Sequence, residues 1–426
     1  MAPKFFENRA IAGMFEMYPG LGEYGSRRPI PMGDGGGRRF GGDRDSTLNS
    51  RRILAGHYRN DPAHQAVFTF DESTPRVSVG DYAYKDFLWR DTTIPKVDLS
   101  EFKLSHYSPG PGYVYARSSW DEDATYFFFK CGNRFTAHQH LDVGTFLIYK
   151  GGELVGDGGH YDAFGTPHDV NYHLRTIAHN TIRVIDPEES WELRGRDPIR
   201  AGRVTSNDGG QRYDWPQHNG AVPDAAQWHA QKEIWETGEI LAFEDTGDYV
   251  FIKADCTKAY SPKKLESFIR QVVFLRPGTI IIVDSVRVKD PASKVIWNLQ
   301  AMKQPRIHPT SFNHPADDNL WTWSNGEGNI FLHPLLPEKR TIELFSGEKL
   351  YMIDGVNYPP QNDTGPAPEC RMEISPTEAK MDHVFVNVFW ATPSGNALVP
   401  VTTIDVSEDK IRVSTGSRRL FDFEVP

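Results

Sequence analysis

The feature that most constrains this chain is a change of texture near residue 100. From there on, short runs of β-branched and aromatic residues follow one another, each closed by polar or turn-forming residues: Tyr113–Ala116, Thr125–Lys130, Thr145–Tyr149, Thr181–Ile185 and Tyr249–Ala254. The stretch from Ile269 to Val283 reads as a hairpin turning at Pro277-Gly278, and Lys150-Gly151-Gly152 supplies another turn. Many strands with little helical periodicity between them predict antiparallel β-sheets packed face to face as a sandwich. The Pro- and Asn-rich stretch from about Gln304 to Asn319 marks an expected boundary. Behind it, Asn329–His333, Thr341–Phe345, His383–Trp390 and Lys410–Ser414 predict a smaller second β-domain.

Helical periodicity is confined to the first ninety-odd residues. Phe6, Ala10, Met14, Phe15 and Tyr18 fall at steps of three and four, on one helical face. A second helix is expected from about Ser46 through Leu48, Ile53, Leu54 and Tyr58, and a third over roughly Val79 to Trp89. Between the first two lies Met32-Gly-Asp-Gly-Gly-Gly-Arg-Arg39. It follows no strand and precedes no Lys-Ser/Thr, so it reads as a connecting loop of basic character, not a phosphate loop. The expected organisation is a helical segment over 1–95, a central antiparallel sandwich over 96–305 and a C-terminal β-domain over 306–426.

Composition narrows the function. Aromatic residues reach 12%, with ten Trp and seventeen Tyr, which suits large sheets and also carbohydrate clefts, where ring faces cover sugars. A formal net charge of −10 argues against nucleic acid as the partner, yet leaves room for a locally basic cleft. Cys131, Cys256 and Cys370 are too far apart in sequence for a metal motif and read as buried thiols. No apolar run is long enough to insert in a membrane, and the first ten residues lack the apolar core of a secretion signal.

The densest group of chemically capable residues is Ala137-His-Gln-His-Leu-Asp-Val-Gly144, followed by Val155-Gly-Asp-Gly-Gly-His-Tyr161 and Arg175-Thr-Ile-Ala-His-Asn180. Alternate strand residues share a face, so His138 and His140 would point the same way. Two imidazoles with a carboxylate from a neighbouring strand make a plausible transition-metal site, which Asp157 or His179 could complete.

The stretch from about Phe129 to Asp186 resembles the signature region of the heparinase II/III superfamily of polysaccharide lyases, and is most similar to heparinase II. The likeness rests on Ala137–Phe146, on Gly156-Asp-Gly-Gly159 and on Asn171-Tyr-His-Leu-Arg-Thr-Ile-Ala-His-Asn180. It is supported by Asn207-Asp-Gly-Gly-Gln-Arg212 and Ala254-Asp-Cys-Thr-Lys-Ala-Tyr260. The resemblance implies zinc, mainly structural, on His140, Asp157 and His179, and a catalytic, substrate-facing role for His138. This divides the histidine pair that strand alternation placed together. It also implies that Tyr161 and Tyr172 line the cleft. Arg175 could meet an anionic substrate or form an internal ion pair. Arg194, Arg196 and Arg200, with His168 and His173, could form a basic lining or an ordinary solvated loop. The implied reaction is β-elimination at a uronic acid of an acidic polysaccharide, with heparin or heparan sulfate favoured. A possible homodimer and a periplasmic or secreted location come from the same likeness.

Such lyases carry a helical toroid before the sandwich, which contributes part of the acid/base set. Only about ninety-five residues precede the sandwich here, so a remnant of the toroid is expected, with Tyr18 or Tyr24 as conceivable substitutes. Two alternatives stand beside the lyase: a zinc-containing module that binds acidic glycans without turnover, and a hydrolase using the metal directly.

Overall fold

The computed structural model describes residues 2–21, 27–34, 62–72, 96–134, 138–189, 206–212, 224–308, 320–395, 402–407, 410–416 and 419–425, with short stretches at 53–54, 57 and 93. Two antiparallel sheets dominate. The first runs, edge to edge, through Arg340–Ser346, Cys370–Pro376, Lys294–Ala301, Glu153–Val155, Phe146–Tyr149, Tyr126–Lys130, Tyr113–Arg117 and Ser105–Ser108, with Ile182–Ile185 also paired to Lys294–Ala301. The second runs through Arg306–Ile307, Trp321–Asn325, Gly328–Leu336, Asp382–Pro393, Thr279–Val288, Leu265–Leu275, Tyr249–Asp255 and Glu239–Asp245. The expected strands and the 277–278 hairpin are all present, with ends extended or trimmed by a few residues.

The strands are apolar on both faces because both faces are covered. In Tyr126–Lys130, Phe127 and Phe129 enter the core between the sheets, whereas Tyr126 and Phe128 face the N-terminal segment. In Thr279–Val288, Ile280 and Ile282 enter the inter-sheet core, and Ile281 and Val283 meet the small sheet of Thr402–Val406, Lys410–Thr415 and Arg419–Glu424. Four layers result: helices, sheet, sheet, small sheet.

This corrects the expected boundary at 305/306. Strands from both sides of it lie in both large sheets: Lys294–Ala301 pairs with Cys370–Pro376, and Thr279–Val288 pairs with Asp382–Pro393. Pairing every backbone N–H and C=O of the central strands requires the later strands, so the Pro-rich stretch is a connection within one sandwich. Thr402–Val406, Lys410–Thr415 and Arg419–Glu424 form the small sheet outside the sandwich.

In the N-terminal segment, α1 (Ala2–Phe15) and α2 (Pro62–Glu72) pack on the outer face of the first sheet. The first helix ends at Phe15, and Tyr18 sits on the following strand, Met17–Leu21. α2 begins with Pro62 at its first turn, where the missing N–H costs nothing. Tyr18 stacks on Tyr149 with centroids 4.7 Å apart, Tyr126 donates its hydroxyl to the carbonyl of Phe15 at 2.6 Å, and Arg28 pairs with Glu153 at 2.8 Å. Most of the helix expected from Ser46 and all of that over 79–89 lie outside the described residues.

Candidate functional site

The site is built on loops that close the strands at one end of the first sheet. Their anchor is a buried ion pair between neighbouring strands of the second sheet. Arg270 Nε lies 2.6 Å from Asp284 Oδ1, and Trp297 donates its indole N–H to the same carboxylate at 2.9 Å. Arg270 also donates to the carbonyls of Gly144 and, at 2.8 Å, Asn180. A charge in the core thus grips the loops that carry the motif. Asn180 staples them further: its side-chain amide donates to Phe146 and Gly156 carbonyls at 2.7 and 2.8 Å and accepts from Gln300 N–H at 2.6 Å. Asn298 donates to the carbonyl of His179 at 2.7 Å. Gly158 lets the loop after Asp157 pass so close to Ala178 that a Cβ there would lie 2.6 Å from its carbonyl oxygen.

These braces bring His140, Asp157 and His179 together. One donor atom from each lies within 4.8 Å of the others, all three residues are buried, and no other such group of three occurs among the described residues. His179 Nδ1 is 2.5 Å from Asp157 Oδ1, while its buried Nε2 has no protein partner. Two imidazoles, a carboxylate and a buried ring nitrogen without a hydrogen bond fit a transition-metal ion. His140 lies in this cluster and His138 does not, and strand alternation does not apply. Residues 138–145 form irregular backbone, with the His140 side chain fully buried and that of His138 71% exposed.

A ladder of rings leads outward from the cluster: His140 and His173 centroids lie 4.5 Å apart, and His173 and Tyr161 lie 6.1 Å apart. Tyr161 is partly exposed at its outer end. Other residues expected near substrate are interior. Tyr172 is fully buried against Ile177, Ile353 and Tyr358. Arg175 is fully buried, donates to Asp208 at 2.5 Å, and is thereby an internal ion pair. Asp208 stays below the ordinary carboxylate range because Arg175, Arg183 and Lys264 outweigh the upward push of burial. His168 and His173 are buried instead of lining an open surface, and Tyr18 is a packing residue. Arg194, Arg196, Arg200 and Tyr24 lie outside the described residues.

The sequence reading missed Asp34. Its carboxylate reaches His138 Nδ1 at 2.5 Å and His140 Nε2 at 3.3 Å, from more than a hundred residues away. The only signal was the Gly-Asp-Gly loop itself.

The family described as heparinase II/III-like, C-terminal, matches residues 104–343, more than half of the 426. Three solved structures share the fold. A heparinase III aligns with a TM-score of 0.58 at 15% identity, covering 98% of this chain and 54% of its own. A second heparinase III, with methylated lysines, gives 0.58 at 14% identity, covering 97% and 50%. A heparan sulfate lyase from Pedobacter heparinus gives 0.56 at 14% identity, covering 93% and 50%. The chain thus spans about half the length of the structures it matches, and comparison with curated protein sequences finds no match. These matches bear on the family and not on a special likeness to heparinase II. On the strength of the sandwich and the long sequence match, the chain belongs to the heparinase II/III-like family.

Proposed function

We propose that this protein works as a polysaccharide lyase on uronic-acid-containing acidic glycans, of the heparin or heparan sulfate kind, by β-elimination. The observation that carries this reading lies at 138–140: an exposed His138 linked through the Asp34 carboxylate to His140 of a buried His-Asp-His group that could hold a metal. The similar solved structures, a heparinase III and a heparan sulfate lyase, support the substrate class.

In such an elimination the C5 proton leaves to a base, its bonding electrons form the C4–C5 double bond, and the C4–O bond breaks as the departing oxygen takes a proton. The C5 proton is acidic enough only if the adjacent carboxylate is neutralised. In this reading His138 meets the uronate, in neutralisation or proton transfer, and Tyr161 lines the cleft. His140, Asp157 and His179 would hold zinc, whose contribution when bound is to cross-link three loops. A periplasmic or secreted setting suits such a substrate.

The test is ultraviolet absorbance of the conjugated unsaturated uronate after incubation with heparin, heparan sulfate and alginate. A rise with at least one of them is expected. Binding without any rise would contradict the lyase and leave a glycan-binding module. Turnover that ceases on chelation while the fold persists would instead favour direct metal chemistry.

A further inference from the structure

The Gly-Asp loop, which the reaction above does not use, docks on the motif at two levels. The backbone N–H of Asp34 donates to the carbonyl of His138 at 3.3 Å. Gly33 makes this approach possible: its φ is +60°, and a Cβ there would lie 2.3 Å from that same oxygen. The Asp34 side chain, only 12% exposed, then places one carboxylate oxygen 2.5 Å from Nδ1 of His138 and the other 3.3 Å from Nε2 of His140.

An exposed imidazole left to itself turns about two side-chain bonds and exchanges its proton between two nitrogens. A carboxylate on one nitrogen stops both. We propose that Asp34 is a positioning residue for His138, accepting its Nδ1–H and so presenting Nε2 to the substrate. The same carboxylate accepts from His140, so the orientation of the sugar-facing ring is tied to that of a metal-cluster ring. This role needs two acceptor oxygens, which a carboxylate has and an amide lacks. It rests on the reading of His138 as the residue that meets the sugar.

The experiment compares the metal-loaded wild-type chain with Asp34→Asn and Asp34→Ala, using two readouts. In protein labelled with ¹⁵N-histidine, the nitrogen shifts of His138 should report the Nδ1–H form in the wild type and a gain of the Nε2–H form in both variants. In the elimination assay, kcat should fall about 10- to 100-fold with KM little changed, for Asn as much as for Ala. A side chain that merely fills space would be replaced by the isosteric Asn without consequence. Wild-type shifts or wild-type kcat in Asp34→Asn would therefore overturn the proposal. If the wild type itself turns over no uronan, the lyase reading fails, and the His138 shifts alone decide the role of Asp34.

Discussion

At the scale of single residues, His138 and His168 make opposite predictions. The His138 side chain is 71% exposed, so His138→Ala should lower kcat by about 10²- to 10⁴-fold, the usual worth of an acid–base group, with little effect on thermal stability. His168 is 1% exposed, with its pKa pushed from 6.5 down to about 4 chiefly by burial, against the opposing hydrogen bond to the Tyr358 carbonyl. The unfolded imidazole takes a proton near pH 6.5 and the folded one only near 4, so the unfolded chain binds more protons between the two. Stability is therefore retained above about pH 6.5, declines as pH falls towards about 4, and declines no further below it. This accounts for a few kcal/mol at most, on the order of 1.4 kcal/mol per pKa unit. Thermal melts of His168→Gln should show a shallower acid decline than the wild type. The motif histidines were legible because they sit in one long specific stretch. Asp34 was not, because no periodicity links a loop between the two N-terminal helices to a loop a hundred residues later.

At the scale of elements, the loops that carry the site are held by side chains outside the motif. Asn298, on the strand Lys294–Ala301, bonds the carbonyls of Ile177 and His179 at 2.9 and 2.7 Å. Asn298→Ala should weaken metal affinity about 10- to 100-fold, measured by competition with a chelator, with His179 itself intact. Asp284→Ala leaves Arg270 in the core without its counter-ion, and should cost about 3–5 kcal/mol in denaturant unfolding. Strands were legible from their residue types and turns. The braces were not, since Asn298 and Gln300 lie on a strand that the sequence reading did not single out, and Asp284 lies just past the end of the expected hairpin. The expected boundary near 305 failed for a related reason. A Pro- and Asn-rich stretch marks where regular structure stops, but not whether the next strand returns to the same sheet.

At the scale of the whole molecule, the two large sheets share one hydrophobic core, and the His140, Asp157 and His179 group gathers residues from three loops at one end. Removing a bound ion should therefore lower the melting temperature of the sandwich as a whole, seen by calorimetry with and without chelator. The central claim is that the two histidines of His138-Gln139-His140 do different jobs, one holding metal below and one meeting sugar above. Elemental analysis of the purified wild type, His138→Ala and His179→Ala tests it most directly. Metal should be retained by the wild type and His138→Ala and lost from His179→Ala. Loss of metal from His138→Ala, or its full retention in His179→Ala, would contradict the assignment.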